Sequence, residues 1–325
     1  MKNKSQIFVG AEVTRLKSGE SQRFLTSSPA TVSSRDFSII NRKSQIVNGF
    51  TLIEIMVVVV LLSLIVLALM EVFNGTQKAF RASVTQTDVL EGGRAAIDFM
   101  AGDLRAMSPS FGQSNNFVGA VNFYANTNDN YQPLVQPLIA SVNNQSRTNV
   151  LESFFILSHE NLDWHGVGYA VVTNSSNGLY SLYRFQYPSN SSRVDPAYIF
   201  TNQFQSFLTN ITSGSHLMDG VVHLVVHAYD ITGALMTTNR LSVTNRNVLY
   251  FSRASGEIGF KMFSNTLPAS VEIEMGVLED RVLQHAESLG AAPSIQSNYL
   301  AGAAGQVHIF RQRVSIPNVD PSAYQ

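Results

Sequence analysis

The sequence predicts an α+β chain: a long N-terminal helix, membrane half plus soluble half, packed on a β-rich globular head. Three observations carry this. The run from Phe50 to Met70 holds 21 residues with a single charge, Glu54. Apolar residues then recur at helical spacing as far as Met107. From Val150 onward the chain turns to short segments rich in β-branched and aromatic residues, often alternating.

The first 49 residues are polar and basic. Eight Lys/Arg (Lys2, Lys4, Arg15, Lys17, Arg23, Arg35, Arg42, Lys43) stand against three acids (Glu12, Glu20, Asp36), a net +5. The whole chain of 325 residues carries −1, so −6 remains for the rest. Rich in Ser, Arg and Lys, residues 1–49 read as an unstructured leader. An acidic body without a dense basic stripe argues against a nucleic-acid surface. The absence of Cys removes disulfides, thiol catalysis and thiolate metal sites. A hydrophobic content of 45% is enough to build a core.

The second element is a membrane span, residues 50–72. About 20 residues at 1.5 Å rise cross a hydrocarbon core of roughly 30 Å. No other segment approaches this length. Arg42 and Lys43 precede it and nothing basic follows until Lys78, which places the N-terminus in the cytoplasm and the head across the membrane. A cleaved secretory signal fits poorly: the run exceeds an ordinary 7–15-residue apolar region and no small-x-small site closes it. A plain signal anchor remains open, but Glu54 is then costly, by about 2.5–3.5 kcal/mol on insertion scales.

Glu54 has two readings. Thr51-Leu52-Ile53-Glu54 has the spacing of a capping box, and a carboxylate in the first turn is favoured by the helix dipole. The sharper reading takes Gly49-Phe50-Thr51-Leu52-Ile53-Glu54 together with the apolar helix behind it. This stretch resembles the processing site of type IV pilins and of type II secretion pseudopilins. The resemblance implies cleavage by a prepilin peptidase between Gly49 and Phe50 and N-methylation of Phe50. It makes Glu54 the fifth mature residue. The new ammonium of Phe50 is then a partner for Glu54 of a neighbouring subunit; such charges about 4 Å apart attract by about 4 kcal/mol at an effective dielectric of 20. The leader departs from the family, whose leaders are commonly short.

The third element, residues 73–108, continues the helix. Val84, Leu90, Ile97, Leu104 and Met107 recur at helical spacings with Asp88, Glu91, Arg94, Asp98 and Asp103 between them. Asn74-Gly75 and Gly92-Gly93 are weak points, and Pro109 marks the end. Arg94, Asp103, Leu104 and Arg105 resemble the "R…DLR" stretch of J-type minor pseudopilins and W-type minor pilins; an amphipathic helix with intrahelical ion pairs is the alternative. Leu267-Pro268 followed by Val271 resembles a strand start near the end of the same subunits.

The head, residues 109–325, opens with Asn-, Gln-, Ser- and Pro-rich residues 110–149, which read as long loops. Seven segments then read as strands, beginning at VLESFFILS and ending at QVHIFRQRVSI, with a hairpin turn at Asn177-Gly178. LEDRVLQHAESLG reads as a short helix capped by Gly290.

Chemistry-bearing clusters are sparse. His223 and His227 lie at i and i+4, but on a strand this sets them about 13 Å apart. Ser215, His216 and Asp219 have no triad context. Asn126, Asn128 and Asp129 read as a solvated turn rather than a calcium loop. Glu272 and Glu274 share a strand face toward solvent, and Trp164 reads as packing. Asn174, Asn190 and Asn210 head glycosylation-type triplets. No catalytic residue, metal site or cofactor is expected. The chain reads as a structural subunit, not an enzyme: a minor pilin-like component of a secretion pseudopilus tip or a type IV pilus. Its partners are a prepilin peptidase, other pilin or pseudopilin subunits and the inner-membrane assembly machinery. The alternative is an adhesion or DNA-uptake module on the same scaffold, and after it a signal-anchored enzyme.

Overall fold

The structure, a computed structural model, describes residues 49–112, 119–127, 134–137, 146–161, 163–175, 178–187, 195–236, 247–252, 258–290 and 293–324. The chain divides into two compact units, Met1–Ser63 and Leu64–Gln325. Helix α1 runs from Leu52 to Arg105. Within the first unit, Gly49 to Ser63 are all exposed. Helix α1 is long and apolar enough to cross a membrane, and its most apolar stretch has no buried residue.

In the second unit the same helix becomes half-embedded. Val89, Gly93, Ala96, Ile97, Met100, Ala101 and Leu104 are buried, at alternating steps of four, three and one that lay one stripe along the helix. The helix ends at Arg105, short of Pro109. Ala106 and Met107 N–H donate to the carbonyls of Asp103 and Leu104 in a tighter last turn, and Ser108 N–H already donates to Leu157 of the sheet. The Asn318 side chain donates to the Met107 carbonyl at 2.8 Å and satisfies one of the groups left over at the helix end. Both predicted weak points stay inside an unbroken helix.

The head is built on a seven-stranded antiparallel sheet in the order β7-β6-β5-β4-β1-β10-β9. Its strands are β1 (Val121–Thr127), β4 (Glu152–Glu160), β5 (Asp163–Ser175), β6 (Gly178–Tyr187), β7 (Ser215–Met218), β9 (Val248–Ser252) and β10 (Ile258–Phe263). A three-stranded sheet joins β8 (Val221–Tyr229), β11 (Ser270–Leu278) and β12 (Val307–Ser315), and a small ribbon pairs β2 (Val135–Pro137) with β3 (Ser146–Thr148). The α+β plan is therefore what the chain adopts.

Strand alternation divides the large sheet between two cores. Phe123, Ala125, Phe154, Ile156, Tyr169 and Val171 pack in the main core with the buried stripe of α1 and the three-stranded sheet. On the other face Tyr124, Phe155, Leu157 and Ala170 meet a helical segment in three pieces, α2 (Pro196–Tyr198), a π-helical turn (Ile199–Phe204) and α3 (Gln205–Thr209). Asp195 caps it, donating nothing and accepting from Ala197 N–H at 3.0 Å, with Pro196 in the first turn. Gly166 and Gly168 leave room for it: a Cβ at either would lie 2.3 Å from Ile199 or Phe204.

Several expectations are corrected here. Residues 110–149 are not all loop, since β1 lies near the middle of the large sheet between β4 and β10. The β2–β3 ribbon, β7, β10, the segment 196–209 and helix α5 (Pro293–Gly302) were not expected. Helix α4 (Asp280–Ser288) is where it was predicted, and Gly290 follows it at φ +77°.

Candidate functional site

The N-terminal constellation begins at Gly49, where a Cβ would meet nothing within 4 Å. Phe50 is 79% exposed. The capping box forms in full: Thr51 N–H and Thr51 Oγ1 both donate to Glu54 Oε2 at 3.1 Å, and Glu54 N–H donates to Thr51 Oγ1 at 3.3 Å. All these bonds use one carboxylate oxygen. Glu54 Oε1 has no hydrogen bond among the described residues, so the cap leaves it open to a further donor. Helix capping and an intermolecular charge contact are thus compatible at one side chain.

Further along α1, the Asp103–Leu104–Arg105 stretch divides its labour. Leu104 is fully buried and Arg105 exposed. Asp103 makes no intrahelical pair. It takes a bidentate fork from Arg184 on β6, Nε at 2.9 Å and Nη2 at 3.0 Å, and accepts a hydrogen bond from the Tyr169 hydroxyl on β5. The guanidinium also lies 4.9 Å from the centre of the Phe99 ring. Burial and the Asp103 charge push the Tyr169 hydroxyl well above its ordinary range. Burial works against the Arg184 cation, yet the bonds and charge of Asp103 more than offset it and its pKa is raised. This cluster fastens the helix to the large sheet. Arg94, by contrast, is exposed.

The remaining candidates scatter. His223 and His227 lie on β8 opposite Gly276 and Glu272. His223 Nδ1 accepts from Val150 N–H at 3.1 Å, while its Nε2 faces Glu274 at 3.7 Å. Among the described residues no group of three or more His, Asp or Glu side chains is arranged to hold a metal. Asp219 Oδ1 receives both Ser181 Oγ at 2.6 Å and His216 Nε2 at 2.8 Å, so the histidine shares its acceptor with Ser181, while Ser215 stands opposite Arg184 in the pairing of β7 with β6. Glu272 and Glu274 were expected to face solvent, and they do not. Their side chains are 16% exposed and bound by Arg311, with Arg147 at 3.9 Å from Glu274. Trp164 packs at 4.4 Å from His159. Asn126 lies in β1, Asn174 lies in β5 and Asn210 closes α3; Asn128, Asp129 and Asn190 lie outside the described residues.

Sequence reading missed three features. Lys261 places its ammonium 5.1–5.6 Å from the ring centres of Tyr124, Phe200 and Phe251, and burial lowers its pKa. Glu152 is buried and accepts from Val226 N–H at 2.8 Å. An open cleft lined by Glu279, Arg281, Gln284, His285, Tyr299 and Gln306 lies along α4 and α5. Only alternation in the first two carried any signal; the partners are set by long-range pairing.

Residues 46–70 match the family model for the prokaryotic N-terminal methylation motif. This chain carries the type IV pilin-like processing motif. The match takes in Gly49, Phe50, Glu54 and the apolar run; Arg94–Arg105 and the head lie beyond it. No curated protein and no solved structure matches the chain. A motif of this type implies processing by a prepilin peptidase and assembly with other pilin subunits. Together with the exposed apolar helix it fits a membrane-anchored protein.

Proposed function

We propose that this pilin-like chain is a minor structural subunit of a type II secretion pseudopilus or a type IV pilus, not an enzyme. A peptidase cuts between Gly49 and Phe50, Phe50 is N-methylated, and the mature chain waits in the inner membrane with its head on the far side. It then joins the fibre through α1. The observation that carries this is the motif match over residues 46–70, set at the start of a helix whose first 33 residues are almost wholly exposed. Glu54 is the assembly charge. Its open Oε1 faces no partner in its own chain among the described residues, and the Phe50 ammonium of a neighbour supplies one. Buried together in a fibre, the two charges compensate each other; buried singly, each is costly.

Size supports the minor role: 276 residues follow Gly49, more head than a repeating shaft subunit needs. The likeness of Arg94–Arg105 to J- and W-type subunits points the same way, since Asp103 and Leu104 of that stretch hold helix to head. The test is co-purification of the chain with sheared fibres or with its fellow pilin-like subunits from the native cell. The wild-type chain is retained and Glu54→Ala is lost, with both equally abundant in the membrane. Equal retention of the two would remove Glu54 from the assembly step.

A further inference from the structure

The three-stranded sheet of the head has two edges, and the chain treats them differently. The β8 edge is closed. Leu224 N–H donates to the Val150 carbonyl, Val226 N–H to Glu152 Oε2 and Met236 N–H to the Ala228 carbonyl, each at 2.8 Å. The β12 edge is open. Its register with β11 runs without a shift from Ser270 opposite Ser315 to Leu278 opposite Val307. Beyond the two ends, Ile316 N–H donates to the Ala269 carbonyl and Glu279 N–H to the Gln306 carbonyl. This parity turns the backbone groups of His308, Phe310 and Gln312 toward β11 and those of Ile309, Arg311 and Arg313 outward. Among the described residues no hydrogen bond reaches the outward groups. All three residues are exposed.

An exposed edge is ordinarily blunted by shortness, by a bulge, or by Lys or Pro. β12 has nine residues, against four in β7 and five in β9 at the edges of the large sheet. It has no bulge, no Pro and no Lys. Its two arginines turn back over the sheet, away from the edge. Arg311 Nε lies 3.0 Å from Glu274 and 3.3 Å from Glu272, both on β11. Arg313 Nε donates to Ser270 at 2.9 Å, and its guanidinium lies 3.8 Å from the centre of the Tyr229 ring on β8. Arg313 has no carboxylate partner among the described residues.

The direction of β12 bears on what can pair with it. Phe310 packs at Gly93, Gln312 donates to Asp98 at 3.4 Å and Asn318 donates to the Met107 carbonyl. Strand and helix therefore run the same way, from the apolar residues 64–70 toward Arg105 and away from a membrane. Every named strand pair of the head is antiparallel. Two copies anchored in one membrane present β12 edges of the same direction, so an antiparallel β12–β12 pair is closed to them.

We propose that the β12 edge is a docking site for an extended strand from the head of a different pilin-like subunit, added antiparallel to β12. Backbone bonds to Ile309, Arg311 and Arg313 hold it, and side chains on alternate residues select it. Antiparallel addition sets one partner residue opposite Arg313 and another, four positions later, opposite Ile309. The first is acidic, because Arg313 lacks a carboxylate, and the second apolar. The kind of partner rests on the pilin-like reading above; the contact itself uses no part of α1.

The test uses the full-length chain in native membranes. A benzophenone amino acid replaces Ser315, exposed at the end of the edge, or Gln284, exposed on α4 as a control. The expected cross-link from position 315 is about fivefold above that from 284 and joins a chain that carries its own N-terminal methylation motif, identified by peptide mass. Ile309→Pro removes one outward N–H and no bond to β11, and lowers the yield about fivefold, whereas Ile309→Thr keeps it. Arg313→Glu lowers it and Arg313→Lys does not. An undiminished yield in a folded Ile309→Pro chain overturns strand addition, and an undiminished yield in Arg313→Glu overturns the acidic partner. Cross-links to a second copy alone, or to no chain, overturn the partner named here. Should Ile309→Pro fail to fold, amide hydrogen exchange of the wild-type chain decides: the amides of 309, 311 and 313 exchange about tenfold more slowly in the assembly than in the single chain in detergent, while those of 308, 310 and 312 are protected in both. Equal exchange of 309, 311 and 313 in the two states overturns the proposal. The N-terminal mass is read from the same membranes. A chain that starts at Phe50 yet gives no cross-link from 315 overturns the edge contact and leaves the processing reading standing. A chain that keeps its leader and still gives the cross-link does the reverse.

Discussion

Replacing Asp103 by Asn tests how the anchor helix is held. The side chains of Arg184 and Asp103 are only 12% and 19% exposed, so the guanidinium left behind would be a largely buried cation without its counter-charge. Removing one partner of such a pair costs about 3–5 kcal/mol. The lower end, about 3 kcal/mol, applies here because an amide still accepts from Tyr169 and the Phe99 ring still faces the cation. For a chain of this size class each kcal/mol moves Tm by roughly 2–4 °C, so a fall of roughly 6–12 °C is expected. Thermal unfolding of the full-length chain in detergent, followed by near-ultraviolet circular dichroism, reads it. The triple change Asp103→Leu, Arg184→Met and Tyr169→Phe removes both charges and the hydroxyl that would lose its acceptor, and stays within about 1 kcal/mol of wild type, since apolar groups of similar volume can replace a buried ion pair. If Asp103→Asn shifts stability by less than about 1 kcal/mol, or if the triple variant is as damaged as the single, the pair is not what fastens α1 to the sheet.

Other outcomes follow from the same geometry. Adjacent glycines in α1 respond with opposite signs. Gly92→Ala meets nothing within 4 Å and stabilises by about 0.5–1 kcal/mol through helix propensity. Gly93→Ala places a methyl 2.4 Å from the Phe310 ring and destabilises by about 1–3 kcal/mol, as overpacking does, measured by the same melts. Lys261 titrates below the usual lysine range, because burial disfavours its charged form. The folded chain sheds that proton first, so stability rises with pH between the folded value and the ordinary lysine value; NMR of isotopically methylated lysines follows it. Gly49→Ala leaves the fold untouched and blocks maturation, so the precursor accumulates with residues 1–49 attached, visible by mass.

The parts legible in the sequence are those written locally. The apolar run, the Thr51–Glu54 box, helix α4 with Gly290 and most strands beyond Val150 need only near neighbours to declare themselves. Glu54's cap formed as its spacing implied. Asp103 was visible as a residue but not as a bond, because Arg184 lies 81 positions away and only the pairing of β5 with β6 brings it and Tyr169 together. Strand β1 was hidden among Asn-rich neighbours. It is a strand because Phe154 and Phe260 flank it on β4 and β10. The segment 196–209 was assigned no element, although Phe200, Phe204 and Phe207 at helical steps behind Asp195-Pro196 were a usable signal. Gly93 looked like a weak point and is a packing requirement, which no local pattern could tell from Gly92.

The claim on which the rest depends is that Phe50 becomes a free, methylated N-terminus. The mass of the mature N-terminal peptide, taken from membranes of the native cell, measures it directly. A chain beginning at N-methyl-Phe50, and absent in Gly49→Ala, is the predicted result. A chain that retains residues 1–49 would contradict it and reduce Glu54 to a helix cap on a membrane anchor.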